Sequence, residues 1–275
     1  MKKAKGSQAP LFPTKETGFW GIEMKSVKIE NLDWVSYREL TEKGRCKIIL
    51  PVGAIEQHGP HMSLNPDVLI PSHIAVKVAE RCDNMLVAPA ISYGYKSQVK
   101  SGGGNFFPGT TCVSGSSLES YVFDVLQAYV NHGNREFILI NGHFENSMYL
   151  CEAADKLVKK CKNEGVNVKV YLLSYWDFIS EETIEKVFPD GFSGWAVEHG
   201  GVLETSIMLK IHPELVDMSK AVDVEPATFP PYDVFPPDPS WVAASGTLSS
   251  PLPATAEKGE IILDECISGI ASHFG

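Results

Sequence analysis

The stretch CKIILPVGAIEQHGPH, residues 46–61, joins a structural pattern to a chemical one. Its first half is a short apolar run followed by glycine, with the length and aliphatic content of a buried strand. Its second half carries Glu56 and His58, flanked by Gly53 and Gly59. Side-chain direction repeats every two residues in extended backbone, so Glu56 and His58 face the same side of the strand end. Runs of the same kind recur at NMLVAPAIS (84–92), EFILIN (136–141) and VKVYLLS (168–174). Between them IPSHIAVKVAERC (70–82), SSLESYVFDVLQAYVNHG (116–133) and ENSMYLCEAADKLVKKCKNEG (145–165) carry helical spacing; the last two close on His-Gly and Glu-Gly stops. This alternation predicts an α/β protein, a single three-layer α/β/α domain with a mostly parallel central sheet and right-handed crossovers.

Bulk properties bound the rest. A chain of 275 residues, 44% hydrophobic and 21% charged, can bury a sizeable core. Its formal net charge of -10 leaves no basic stripe to neutralise phosphates, which argues against a nucleic-acid partner. MKKAKG begins as a secretory signal would, but no continuous apolar segment follows it, and no run approaches a membrane span. The expectation is a cytoplasmic protein without a membrane partner. Six cysteines without a C-x-x-C pair read as free, mostly buried thiols.

Residues 1–25 are polar and irregular and read as an N-terminal arm to a domain over 26–275. The Pro-rich VEPATFPPYDVFPPDPS (224–240) carries Phe229, Tyr232 and Phe235, apolar groups that would anchor it as an ordered arm rather than a solvated linker. YGYKSQVKSGGGNFFPGTT (93–111) is too glycine-rich for regular structure and lacks a nucleotide-binding pattern, so a loop over the active site is expected. TAEKGEIILDECISGIASHF (255–274) reads as a final amphipathic helix.

The chemistry concentrates at two strand ends. An isolated Glu or His is usually a surface carboxylate or a hydrogen-bonded core histidine. Here Glu56-x-His58 follows one strand, with Asp67 eleven residues beyond Glu56, and His143-x-Glu145 follows another in NGHFENSM (141–148). Crevices at strand ends are where open α/β sheets bind ligands. Imidazole and carboxylate donors without thiolate suit Zn²⁺ or Mn²⁺. A carboxylate such as Asp67 can bridge two ions about 3.5–4 Å apart, an arrangement that activates water for hydrolysis. In WAVEHGGVLETS (195–206), His199 at a glycine turn before a helical stretch is either a general acid or base, or a packed helix-start residue. Trp176 and Trp195 are either core residues or flat walls for a conjugated substrate.

Over nearly its whole length the chain resembles the creatininase family, through PVGAIEQHG, NPDVLIP, YGYKSQ, KSGGGN, FPGTT, NGH and ENSM on either side of position 144, LSYWDF, EHGGV and ETS on either side of position 203, PPYDVFP and GTLSS. The resemblance implies two divalent metal ions per chain, zinc or manganese or both. One would be held by Glu56, Asp67 and His143, the other by His58, Asp67 and Glu145, with Asp67 bridging. It implies substrate contacts from Ser101, Trp195 and His199 with Trp176 nearby, Glu145 orienting the bridging water, and His199 protonating the leaving ring nitrogen. It also implies a three-layer α/β/α domain and a homohexamer.

The chain departs from the family pattern at two substrate-facing positions, with Phe144 where a Tyr follows the metal-binding histidine and Ala196 where an Asp follows the active-site tryptophan. Losing a hydroxyl and a carboxylate weakens discrimination of a guanidino-like ring. The expected function is metal-dependent opening of a small cyclic amide, creatinine to creatine. The alternatives are the same hydrolysis on another small ring or amide, such as 3-dehydro-scyllo-inosose or a formamide, or a non-catalytic metal-binding scaffold.

Overall fold

The computed structural model describes residues 26–42 and 46–275; the expected arm over 1–25 lies outside the described residues. In chain order the elements are α1 (Trp34–Thr41), β1 (Lys47–Val52), α2 (Pro66–Arg81), β2 (Met85–Val87), α3 (Val99–Gly102), α4 (Gly115–Asn131), β3 (Glu136–Asn141), α5 (Ser147–Asn163), β4 (Lys169–Ser174), α6 (Glu181–Val187), α7 (Val202–Ile211) and α8 (Ala256–Phe274). The four strands form one parallel sheet in the order β2-β1-β3-β4.

Alternation along each strand builds two cores. Ile49, Met85, Val87, Ile138, Ile140 and Leu173 pack with α2, α7 and α8 on one face. Ile48, Leu50, Val52, Leu86, Phe137 and Leu139 pack with α4 and α5 on the other. Both faces are thus covered, giving the expected three-layer α/β/α arrangement. Fully burying each aliphatic side chain contributes about 1.5–3 kcal/mol. The register pairs Val52 with Asn141 and Asn141 with Ser174, so β1, β3 and β4 end level with one another. Everything that follows those three strands therefore emerges at the same edge of the sheet.

Several boundaries differ from the sequence reading. The second strand stops at Val87, because Pro89 has no N–H for a ladder; the chain rejoins β1 only at an Ile91–Val52 bridge. Helix α2 starts at Pro66, four residues before the apolar periodicity begins, since proline suits the first helical position. Pro71 inside that helix lacks the N–H that would bond the Asp67 carbonyl. Gly142 packs there instead, so closely that a Cβ would sit 2.1 Å from Asp67 O. The glycine-rich 93–111 segment contains the single helical turn α3. Helix α5 is preceded by a 3-10 turn over Phe144–Asn146.

In the Pro-rich segment Phe229 is half-buried, but Tyr232 and Phe235 are exposed and do not anchor it. The segment is joined to the body by Ala227 N–H donating to Leu248 O at 2.8 Å and by Lys100 Nζ donating to Tyr232 O at 3.3 Å. All six cysteines are free; Cys46, Cys161 and Cys266 are buried, Cys82 and Cys112 half-buried, and Cys151 exposed, fewer buried than expected. Among the described residues no helix is long and apolar enough to cross a membrane.

Helices α7 and α8 meet at Gly259, where a Cβ would lie 2.0 Å from the Ser206 carbonyl oxygen. Gly259→Ala is expected to lower stability by about 2–3 kcal/mol through overpacking against backbone, measured by urea unfolding. An unchanged midpoint would show that the two helices can separate without cost.

Candidate metal centre

The level strand ends bring distant residues together. Glu56 and His58 follow β1, Asp67 sits in the first turn of α2, His143 follows β3, and His199 and Glu204 flank the start of α7. Glu56, His58, Asp67 and His143 are each no more than 3% exposed. Two close groups result, Glu56 with Asp67 and His143, and His58 with Asp67 and Glu204. His143 Nδ1 lies 3.1 Å from Glu56 Oε2 and 3.2 Å from Asp67 Oδ2. His58 Nε2 lies 3.0 Å from Asp67 Oδ1 and 3.5 Å from Glu204 Oε2. Asp67 thus offers one oxygen to each group.

Backbone carbonyls assign the imidazole nitrogens. His143 Nε2 faces Tyr95 O at 3.1 Å, and His58 Nδ1 faces Glu56 O at 3.1 Å. A ring N–H donating to each carbonyl leaves the other nitrogen bare, and in both residues the bare nitrogen is the one turned to the carboxylates. Lone pairs facing carboxylate oxygens repel unless a proton or a metal ion lies between them. Glu56 Oε1, His58 Nε2 and Asp67 Oδ2 are buried without an aligned hydrogen bond, although His58 Nε2 and Asp67 Oδ2 stand at ion-pair distances from their neighbours. These donors fit a pair of divalent ions.

The electrostatics call for positive charge at the same points, which protons supply where a metal does not. Burial pushes the Glu56 carboxyl up to about 7, with His143 opposing the rise. Burial also disfavours charge on Asp67, His58 and His143, but each is overruled by its neighbours. His58 and His143 hold the Asp67 carboxyl below its ordinary range. Asp67 and Glu204 raise His58 well above the usual histidine value, and Glu145 and Glu56 do the same for His143. His199 goes the other way, pushed well below by burial and by His58, whose ring centroid is 4.2 Å away.

His199 abuts the centre, forming a further close group with Glu56 and His58. Its Nε2 lies 3.0 Å from Gln57 Nε2. The Gln57 amide is oriented by Gly59 N–H on its oxygen and by Gly246 O on its nitrogen, so Gln57 donates to His199 Nε2. The proton of neutral His199 is then on Nδ1, 3.9 Å from Glu56 Oε2 and turned towards the centre. His61, in the same sequence run as His58, instead pairs with Thr205 Oγ1 at 2.9 Å.

Glu145 lies on the outer side of His143. Gln98 N–H and Ser101 Oγ both donate to its Oε1 at 2.7 Å, and its Oε2 lies 3.4 Å from His143 Nε2. The carboxylate beside His58 and Asp67 is that of Glu204, held by Gly200 N–H at 2.8 Å. Sequence spacing did not find Glu204. Its signal was a single acid in the apolar VLETSIML run, whose residues 202–208 are all buried.

The two groups form the floor of a 560 Å³ cavity. Ser101, Phe144, Trp176, Trp195, Ala196 and His199, the residues expected to face substrate, all line it. Phe144 is 63% exposed and Trp195 46%, so both are available as walls rather than buried as core.

Several known proteins are similar to this chain. The creatininase family model, described as creatinine amidohydrolase, matches residues 30–274. Creatinine amidohydrolase of Pseudomonas putida is 51% identical over 249 residues, 90% of this chain and 95% of that protein. The mycofactocin precursor peptide peptidase of Mycolicibacterium smegmatis is 29% identical over 82% of this chain and 83% of its own. The 3-dehydro-scyllo-inosose hydrolase of Thermotoga maritima is 29% identical over 67% of this chain and 56% of its own. Among solved structures, "Creatininase Mn" and a mutant creatininase of "Zn-Zn type" each superpose with TM-score 0.89 at 50% identity, covering 90% of this chain and 97% of theirs.

Proposed function

The chain belongs to the creatininase family, and from that premise we propose that it is a two-metal hydrolase that opens creatinine to creatine. One observation carries the reading: two imidazoles turn bare nitrogens onto carboxylates that share Asp67, in the floor of a cavity sized for a small ligand. Glu56, Asp67 and His143 would hold one ion, and His58 and Asp67 the other with Glu204; Glu145 stands at the flank. When bound, the ions would be zinc or manganese and would supply Lewis-acid activation of water and of the ring amide.

The remaining steps belong to side chains. Water adds across the amide C–N bond, the carbonyl carbon becomes a carboxylate, and the ring nitrogen leaves with a proton. Glu145, fixed by Gln98 and Ser101, accepts a hydrogen bond from the attacking water at Oε2. His199 holds a proton at Nδ1 for the leaving nitrogen, with Gln57 fixing the ring. Trp176 and Trp195 supply flat faces for a conjugated ring. A homohexamer, supported by the family resemblance alone, and the cytoplasmic location expected from the sequence belong to the same proposal.

The measurement is turnover by metal-loaded protein on creatinine, together with metal content. Creatine formation with about two ions per chain is expected. No creatine, alongside rapid hydrolysis of 3-dehydro-scyllo-inosose or a peptide, would transfer the same machinery to another substrate. Fewer than one ion per chain would leave only a scaffold. The second substrate reading draws on Phe144 and Ala196, which line the cavity without a polar group to hold a guanidino edge. Phe144→Tyr combined with Ala196→Asp is expected to raise kcat/KM for creatinine about tenfold, the effect of one or two hydrogen bonds to the ring. No change would make those two positions neutral in specificity.

A further inference from the structure

We propose that Lys100 and Asp233, at the mouth of the cavity, form a recognition site for the zwitterionic open-chain product. This rests on the ring-opening reading above. Opening a neutral cyclic guanidino-amide with one water yields a chain bearing both a guanidinium and a carboxylate, without net proton gain or loss. Two opposite charges thus appear in the cavity only after reaction.

The cavity holds a matching pair. Among the described residues Lys100 is the one lysine or arginine that lines it. Lys100 Nζ lies 3.4 Å from Asp233 Oδ1 and donates to Tyr232 O at 3.3 Å. An ammonium has three protons, so a third donor remains for a product carboxylate even before the ion pair opens. Asp233 is the carboxylate suited to a guanidinium, because the others lining the cavity are engaged. Glu56, Asp67 and Glu204 belong to the metal groups, Glu145 takes Gln98 N–H and Ser101 Oγ, and Glu198 takes Leu203 N–H at 3.0 Å.

The pair is also loose enough to exchange partners. The Asp233 side chain is 68% exposed and that of Lys100 29%, and ion pairs so exposed contribute little to stability. Its two halves come from α3 and from the Pro-rich 224–240 segment, so the contact between those segments is also the proposed product site. Ser101, next to Lys100, bonds Glu145, which sets this pair one residue from the flank of the metal centre. A neutral ring uses neither charge fully, so the pair favours the opened form over the closed one, and by microscopic reversibility it would seat the substrate of ring closure.

The test compares product inhibition with substrate use. Lys100→Met and Asp233→Asn are each expected to raise Ki for creatine about tenfold, the effect of losing one charge-assisted contact, while KM for creatinine rises less than about threefold. Lys100→Arg, which keeps the charge, is expected to restore Ki. An unshifted Ki in both charge-removing variants, or Ki and KM rising in parallel, overturns the proposal. The two readings fail separately: wild-type protein inert towards creatinine defeats the ring-opening reading, whereas an active wild type with unshifted variants defeats only the pair.

Discussion

His143→Ala is expected to abolish metal binding and turnover together. The imidazole sits between Glu56 and Asp67, with its other nitrogen on the Tyr95 carbonyl. Alanine would leave two buried carboxylates facing each other without an intervening donor. Glu56, already raised towards neutrality by burial, would lose the histidine that opposes the rise. Loss of the ion at that position removes one of the two partners of Asp67 and with it the shared activation of water. A fall in kcat of at least about a thousandfold is expected, equivalent to about 4 kcal/mol of transition-state stabilisation. Metal analysis and the melting temperature provide independent readouts. Adding zinc or manganese should raise the melting temperature of the wild type by linkage, and raise that of the variant less or not at all. A variant that keeps two ions and full turnover would remove His143 from the centre.

His199→Ala is expected to separate the two functions. The ring touches the centre, but its Nε2 is held by Gln57, and the proton on Nδ1 is the one the proposed reaction would use. Removing it should lower kcat about 10²–10⁴-fold, the range of a positioned acid or base, while metal content and the metal-induced rise in melting temperature persist. Full turnover would exclude His199 from proton transfer. Loss of metal would instead make it a ligand, in keeping with its closeness to Glu56 and His58.

Much of the fold was legible because its signals are local. The runs at 46–53, 136–141 and 168–174 contain three of the four strands, and the three helices read between the strands contain or overlap α2, α4 and α5. The misreadings also have local causes. Pro89 cut β2 to three residues, and Pro66 opened α2 ahead of its apolar face. The 224–240 segment was read through its aromatic residues, yet two of the three are exposed and polar contacts join it to the body.

The site divides along the same line. Glu56-x-His58 was visible because a two-residue spacing in extended backbone sets direction without help from the rest of the chain, and His143-x-Glu145 because it follows a second buried strand at a strand-to-helix turn. Glu204 was not, because a lone acid in an apolar helix has meaning only once that helix is packed against the strand ends. Nor could spacing say that Gln98 and Ser101 draw Glu145 to the flank, that Tyr95 and Glu56 carbonyls orient the two imidazoles, or that Lys100 meets Asp233 at the mouth. The sequence by itself determined the alternating strands and helices and the Glu-x-His and His-x-Glu pairs that follow two of the strands, since these are local features of a few residues. Only the tertiary structure decided which carboxylate faces which imidazole, because parallel strands and their crossover helices bring together side chains that no local rule relates.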